Sequence, residues 1–86
     1  MKTIKLMETR KLYEIASEIR NDWGNKMYYG AKPYVQAMMC LGSVKDNYIL
    51  DSGDTIVRYF LANASTWRGE TARRIKKELK DMLKQK

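Results

Sequence analysis

Apolar residues recur at three- and four-residue spacing in four stretches of this chain, and each stretch predicts an amphipathic helix. In the first, Leu12, Ile15, Ala16, Ile19 and Trp23 share a face while Glu14, Glu18, Arg20 and Asp22 stay off it. Thr9 is placed to cap its start and Gly24 to stop it. In the second, Pro33 falls in the first turn, where its missing N–H costs nothing; Tyr34, Met38 and Leu41, with Val35 and Met39 beside them, run up to Gly42. The third opens at Ser52-Gly53-Asp54-Thr55, with Asp54 at the positive end of the helix dipole, and carries Ile56, Val57, Phe60, Leu61 and Ala64. Read as a strand, residues 56–61 would put apolar groups on both sides without alternation, so helix is preferred. The fourth, capped by Ser65 or Thr66, lines up Ala72, Ile75, Leu79 and Met82, flanked by Leu83. At roughly 100° per residue, Arg73, Lys77, Lys80 and Lys84 fall within about 60° of one another on its other side.

Short glycine-marked loops join these segments, and neither an internal repeat nor a low-complexity stretch is visible. The expected fold is all-α, a small bundle of about four helices ending in a basic amphipathic one. Residues 1–7 read as a flexible tail or a short docked strand, and Lys45–Leu50 as a loop with apolar plugs. The 86 residues make a single domain. A domain of this size buries little more than about 60% of its unfolded surface, so its methionines, tyrosines and tryptophans are needed first to fill a marginal core.

The chain has no histidine, which excludes histidine-based triads and the commonest metal ligand. Its single cysteine, Cys40, permits no intrachain disulfide and no zinc site of the CxxC kind; in the run Ala37-Met38-Met39-Cys40-Leu41 it reads as a small buried residue. Phosphate-binding glycine loops and a GxSxG elbow are absent. Asp46, Asp51 and Asp54 lack the spacing of a calcium loop and read as caps and turn residues. No enzyme and no cofactor is expected. The first residues lack the apolar core of a signal peptide and no stretch is long enough to span a bilayer, so a cytoplasmic protein is expected. The last helix has too narrow an apolar face to favour a membrane surface.

Charge changes the picture. The net charge of +7 divides into +3 over residues 1–43, −1 over 44–66 and +5 over 67–86. A basic block on a small protein attracts polyanions. Residues 54–84 read as helix, a three-residue turn Ala64-Ser65-Thr66, and a longer basic helix, the outline of a helix-turn-helix unit. Ser65, Thr66, Arg68, Arg73, Arg74, Lys76, Lys77, Lys80 and Lys84 are its candidate nucleic-acid contacts. Trp67, at the start of that helix, is either a core lid or an exposed anchor. Gly69 marks close approach, by a neighbouring helix or the Tyr28-Tyr29 loop or by a partner. Trp67, Arg68, Tyr28 and Tyr29 are the candidate partner-binding residues, being of types rich in interface hot spots. The loop from Trp23 to Tyr34 interleaves aromatics with Lys26 and Lys32, a composition that suits either core filling or the stacking of single-stranded bases.

Asp51-Ser52-Gly53 and the run from Tyr59 to Leu79 (YFLANASTWRGETARRIKKEL), with Leu12-Tyr13-Glu14-Ile15-Ala16 and Tyr29-Gly30-Ala31-Lys32-Pro33-Tyr34, resemble a family of small proteins encoded on bacterial phages, plasmids and integrated elements. The resemblance spans about residues 11–84 and implies a mobile-element setting without an assigned activity. Two expectations follow. The chain is a basic accessory protein that binds DNA or RNA through its C-terminal unit, or it is a phage-type inhibitor or adaptor that binds an acidic host protein or ribonucleoprotein, for example an anti-defence protein such as an anti-CRISPR. It would act as a monomer or homodimer.

Overall fold

The four apolar stripes meet in one interior. The structure, a computed structural model, describes residues 10–84. Its elements are α1 (Leu12–Trp23), a 3-10 turn (Gly24–Lys26), α2 (Lys32–Met38), a small antiparallel ladder of β1 (Asn47–Tyr48) and β2 (Asp51–Ser52), α3 (Gly53–Ala62) and α4 (Glu70–Lys84). The protein is thus a small, mostly helical bundle. The expectations for residues 1–7 and for a cap at Thr9 lie outside the described residues.

α1 starts with Lys11 in the cap position. The Lys11 N–H donates to Glu14 Oε1 at 2.9 Å, and the N–H groups of Leu12 and Tyr13 donate to the carbonyls of Gly42 and Leu41 at 3.1 and 3.0 Å. Main chain beyond α2 therefore satisfies donors that a helix start leaves orphaned. α2 ends at Met38, three residues earlier than the apolar pattern suggests. Bonds from Cys40 N–H to Ala37 and from Leu41 N–H to Met38 span three residues and wind the chain into a tighter turn. Leu41 still reaches the core, but Cys40 is exposed, which corrects its reading as a buried residue.

The loop before α3 departs from expectation in the same way. Val44 is buried and Tyr48 half-buried, whereas Ile49 and Leu50, expected to plug the core, occupy the hairpin tip at 81% and 95% exposure. Asp46 takes the turn role expected of it, its Oδ2 accepting from the N–H groups of Gly42 and Ser43 at 2.9 and 3.1 Å. α3 opens where Ser52-Gly53-Asp54 predicts. Gly53 is required by proximity, because an added Cβ would lie 2.7 Å from the Ser43 carbonyl oxygen and 2.9 Å from Val44 Cα, both main-chain atoms.

The connection from α3 to α4 differs most. α4 begins at Glu70, not directly after a cap at Ser65 or Thr66, and residues 63–69, seven in all, separate the helices. Trp67 turns inward within this segment to 2% exposure, settling that it is a core lid. Its ring stacks on Trp23 with centroids 5.5 Å apart and makes a T-shaped contact with Phe60 at 6.2 Å, and its Nε1–H donates to Asp22 Oδ2 at 2.9 Å. Gly69 follows at φ +114°, a conformation side-chain-bearing residues rarely adopt, and its carbonyl accepts the first helical bond from Arg73 at 3.0 Å. An added Cβ there would meet nothing within 4 Å, so backbone conformation, not close approach, selects this glycine.

Trp67→Ala should cost about 3–5 kcal/mol, as for other buried aromatics, and Trp67→Phe clearly less. Urea unfolding followed by circular dichroism checks the order. Gly53→Ala should cost about 1–3 kcal/mol, the range for overpacking, because main chain cannot move aside as a side-chain tip can; the same unfolding curves check it.

Candidate nucleic-acid interface

α4 is divided by its own periodicity. Ala72, Ile75, Leu79 and Met82 are buried against the bundle, and Arg73, Lys77, Lys80 and Lys84 are exposed on the other side. From residue 73 to 84 this stripe runs about 16 Å at the helical rise of 1.5 Å per residue. Among the described residues, Arg73, Lys80 and Lys84 make no ion pair, and Lys77 meets only Asp81, one turn on, at 3.2 Å. An exposed pair of that kind is weak and leaves Lys77 available to a phosphate. Arg68, exposed in the connection just ahead of α4, likewise makes no ion pair among the described residues.

The remaining predicted contacts are placed differently. Ser65 and Thr66 are exposed but sit in the connection, not on the first turn of α4. A helix-turn-helix unit joins its helices by about three or four residues. The seven-residue connection therefore corrects the expected three-residue turn, and the cations form a stripe along a helix in place of a reading head at its tip. Arg74 and Lys76 are turned to the protein's own use. Arg74 bonds to Glu18 on α1. Lys76 Nζ donates to the Trp67 carbonyl at 2.7 Å and lies 6.0 Å from the centre of the Trp67 ring. Burial, with the nearby Lys80 and Arg68 charges, pushes the Lys76 pKa down.

Glu18 belongs to a network that fixes α4 to α1. Arg10 clamps Glu78 of α4 through Nε and Nη2 at 3.0 and 2.8 Å and reaches Glu18 Oε1 through Nη1 at 2.9 Å. The hydrogen bond from Arg74, then that from Arg10, holds the Glu18 carboxyl below the ordinary glutamate range, and Glu78 in turn raises the pKa of Arg10. Arg10 and Glu78 lie 68 positions apart, and no local pattern announces the pair.

Of the candidate partner-binding residues, Trp67 is withdrawn from the surface, while Arg68, Tyr28 and Tyr29 remain on it. Tyr29 is 76% exposed and its ring packs 4.9 Å from that of Tyr28. Gly30 lies beneath the Tyr28 ring and beside the Asn63 amide, which donates to the Tyr59 carbonyl at 2.9 Å. Exposed Tyr59 on α3 meets half-buried Tyr34 on α2 at 5.7 Å, a second tyrosine pair beside that of the loop before α2. The sequence signal for Tyr59 was its position off the stripe of Ile56, Val57 and Phe60. Trp23, in contrast, is core, as the filling alternative for that loop has it.

No family model, curated protein or solved structure matches this chain. Among the described residues no helix is long and apolar enough to cross a membrane.

Because Glu18 is held below its ordinary value of 4.5, its contribution to stability is present above that pH and is lost as pH falls through the lower folded value. The stability gap between the native chain and Glu18→Gln should therefore be widest near neutrality and close on acidification, as measured by urea midpoints across pH. Arg10→Ala should cost about 1–2 kcal/mol near neutrality, since a partly buried network exceeds a lone surface pair.

Proposed function

We propose that this protein is a small, basic, non-enzymatic accessory protein of a bacterial mobile element, acting in the cytoplasm, that binds nucleic acid along the outer face of α4. The observation that carries this reading is the row of Arg73, Lys77, Lys80 and Lys84, exposed on one side of α4, three of the four with no ion pair among the described residues. Structural demands on α4 are met elsewhere: its apolar side by the core, Glu78 by Arg10, Arg74 by Glu18 and Lys76 by the Trp67 carbonyl. The stripe is left to the solvent and to whatever anion approaches it.

The mechanism follows from phosphate chemistry. Ammonium and guanidinium groups replace condensed counterions on the backbone, and the entropy of their release drives binding without reading sequence. Arg73 offers a planar fork for a phosphate, the lysines act as point charges, and Ser65, Thr66 and Arg68 extend the surface beyond the helix start.

A second reading has its own observation. The two tyrosine pairs, Tyr28 with Tyr29 and Tyr34 with Tyr59, are of the residue type that anchors protein interfaces, and they suit an inhibitor or adaptor docking on an acidic host protein or ribonucleoprotein.

Fluorescence anisotropy with labelled duplex DNA, single-stranded DNA and structured RNA separates the two. With four phosphate contacts on duplex DNA, log K should fall with log salt at a slope of roughly −3.6. Arg73→Glu with Lys80→Glu should flatten the slope and weaken binding on every sequence, and Tyr29→Ala should leave duplex binding nearly unchanged. Absence of binding to all three at low salt contradicts the nucleic-acid reading. Loss of a host-protein complex on Tyr29→Ala, with the α4 variants intact, supports the second.

A further inference from the structure

The end of α1, the 3-10 turn and one side of α2 border an open groove of about 420 Å³ whose lining includes neither the α4 stripe nor the tyrosine pairs. Its size falls within the range of small-ligand sites, roughly 300–1,000 Å³. Arg20 and Lys32 line it and no acidic residue does. Among the described residues neither cation makes an ion pair, unlike Arg10 and Arg74 on the opposite side of α1. Two carboxamides, Asn25 and Gln36, also line the groove, and neither spends its side-chain donors or acceptor on a described residue. Met27 and Met39 are half-buried against the core and supply an apolar wall, with Val35 beneath.

From these groups we infer that the groove is a binding site for a nucleotide, its phosphate held by Arg20 and Lys32 and its base laid on Met27 and Met39. The chemistry selects this class. A bare phosphate would leave the wall and both amides unused, a fatty acid would leave the amides unmatched, and an uncharged sugar would leave two cations without a counterion. A nucleotide satisfies all three sets: its anion meets the cations, its flat ring meets polarisable thioethers, and its polar edge meets carboxamides that each carry donors and an acceptor. Base edges in a duplex are paired and stacked, so the ligand is a free nucleotide or an unstacked residue of a single strand. The site is separate from α4 and does not rest on the function proposed above.

The test is amide-resolved NMR on the full chain, titrated in turn with the four ribonucleoside monophosphates, inorganic phosphate, adenosine and a uridine octanucleotide. The expected result is saturable shifts at Asn25, Met27 and Gln36 with at least one monophosphate or with the octanucleotide. Affinity should exceed that for phosphate or adenosine by about tenfold or more, and Arg20→Ala and Lys32→Ala should each remove about tenfold, the scale of one hydrogen bond to a charged group. Tighter binding of the octanucleotide than of any monomer assigns the site to single strands; equal or weaker binding assigns it to free nucleotides. Both cations are exposed, so these variants keep the fold, as circular dichroism verifies. Gln36→Glu, which sets a carboxylate in the groove, should weaken binding further, whereas Arg73→Glu with Lys80→Glu should leave the monomer titration unchanged. Absence of shifts at the groove with every probe overturns the inference. So does phosphate alone matching the nucleotides, or retention of affinity in both alanine variants.

Discussion

Trp67 is held on three sides at once: its face lies on Trp23 from α1, its ring makes an edge contact with Phe60 from α3, and its indole N–H is taken by Asp22. It belongs to no helix, yet it decides where α4 can begin, because the chain must turn inward to bury the ring and turn out again before a helix can start. Gly69 makes that second turn at a positive φ, and Lys76 of α4 reaches back to the Trp67 carbonyl. A small bundle has little core to spare, and an aromatic cluster joining α1, α3 and the approach to α4 concentrates much of it in one place.

With the start of α4 set in this way, the rest of its placement follows from period. Ala72, Ile75, Leu79 and Met82 must face the bundle, and Arg10 locks the rotation by clamping Glu78 from two residues before α1. The positions between them have no choice but to face water. Arg73, Lys77 and Lys80 are among them, with Lys84 one turn on, while Glu18, Glu78 and Asp81 are engaged by Arg10, Arg74 and Lys77 and Glu70 stands exposed on the first turn of the helix. An excess of positive charge in the sequence becomes an oriented row in space through packing constraints alone.

The local part of this arrangement was legible in the sequence. The apolar spacing located all four helices, and the helical angle between residues 73 and 84 placed the basic stripe, because both depend only on residues within a few turns. What the sequence hid was set by distant partners. α2 ended early as the N–H groups of Cys40 and Leu41 turned to carbonyls three residues back, and the tighter turn left Cys40 outside. The extent of the α3–α4 connection depended on where a single tryptophan found its neighbours, and with it fell the compact turn of a helix-turn-helix unit. Among the candidate contacts, Arg74 and Lys76 were indistinguishable from Arg73 and Lys77 by type. Only Glu18, brought from α1, and the Trp67 carbonyl told them apart. Ile49 and Leu50 had composition in favour of burial and no neighbour to bury them.

The central claim is that packing leaves one face of α4 free for phosphates. Mapping amide shifts along the chain during titration with a short DNA duplex tests it most directly. The account predicts shifts that follow Arg68, Arg73, Lys77, Lys80 and Lys84, fade as salt rises, and spare the buried positions 72, 75, 79 and 82. Shifts centred on Tyr28, Tyr29 and Tyr59, or no shifts at low salt, would contradict it.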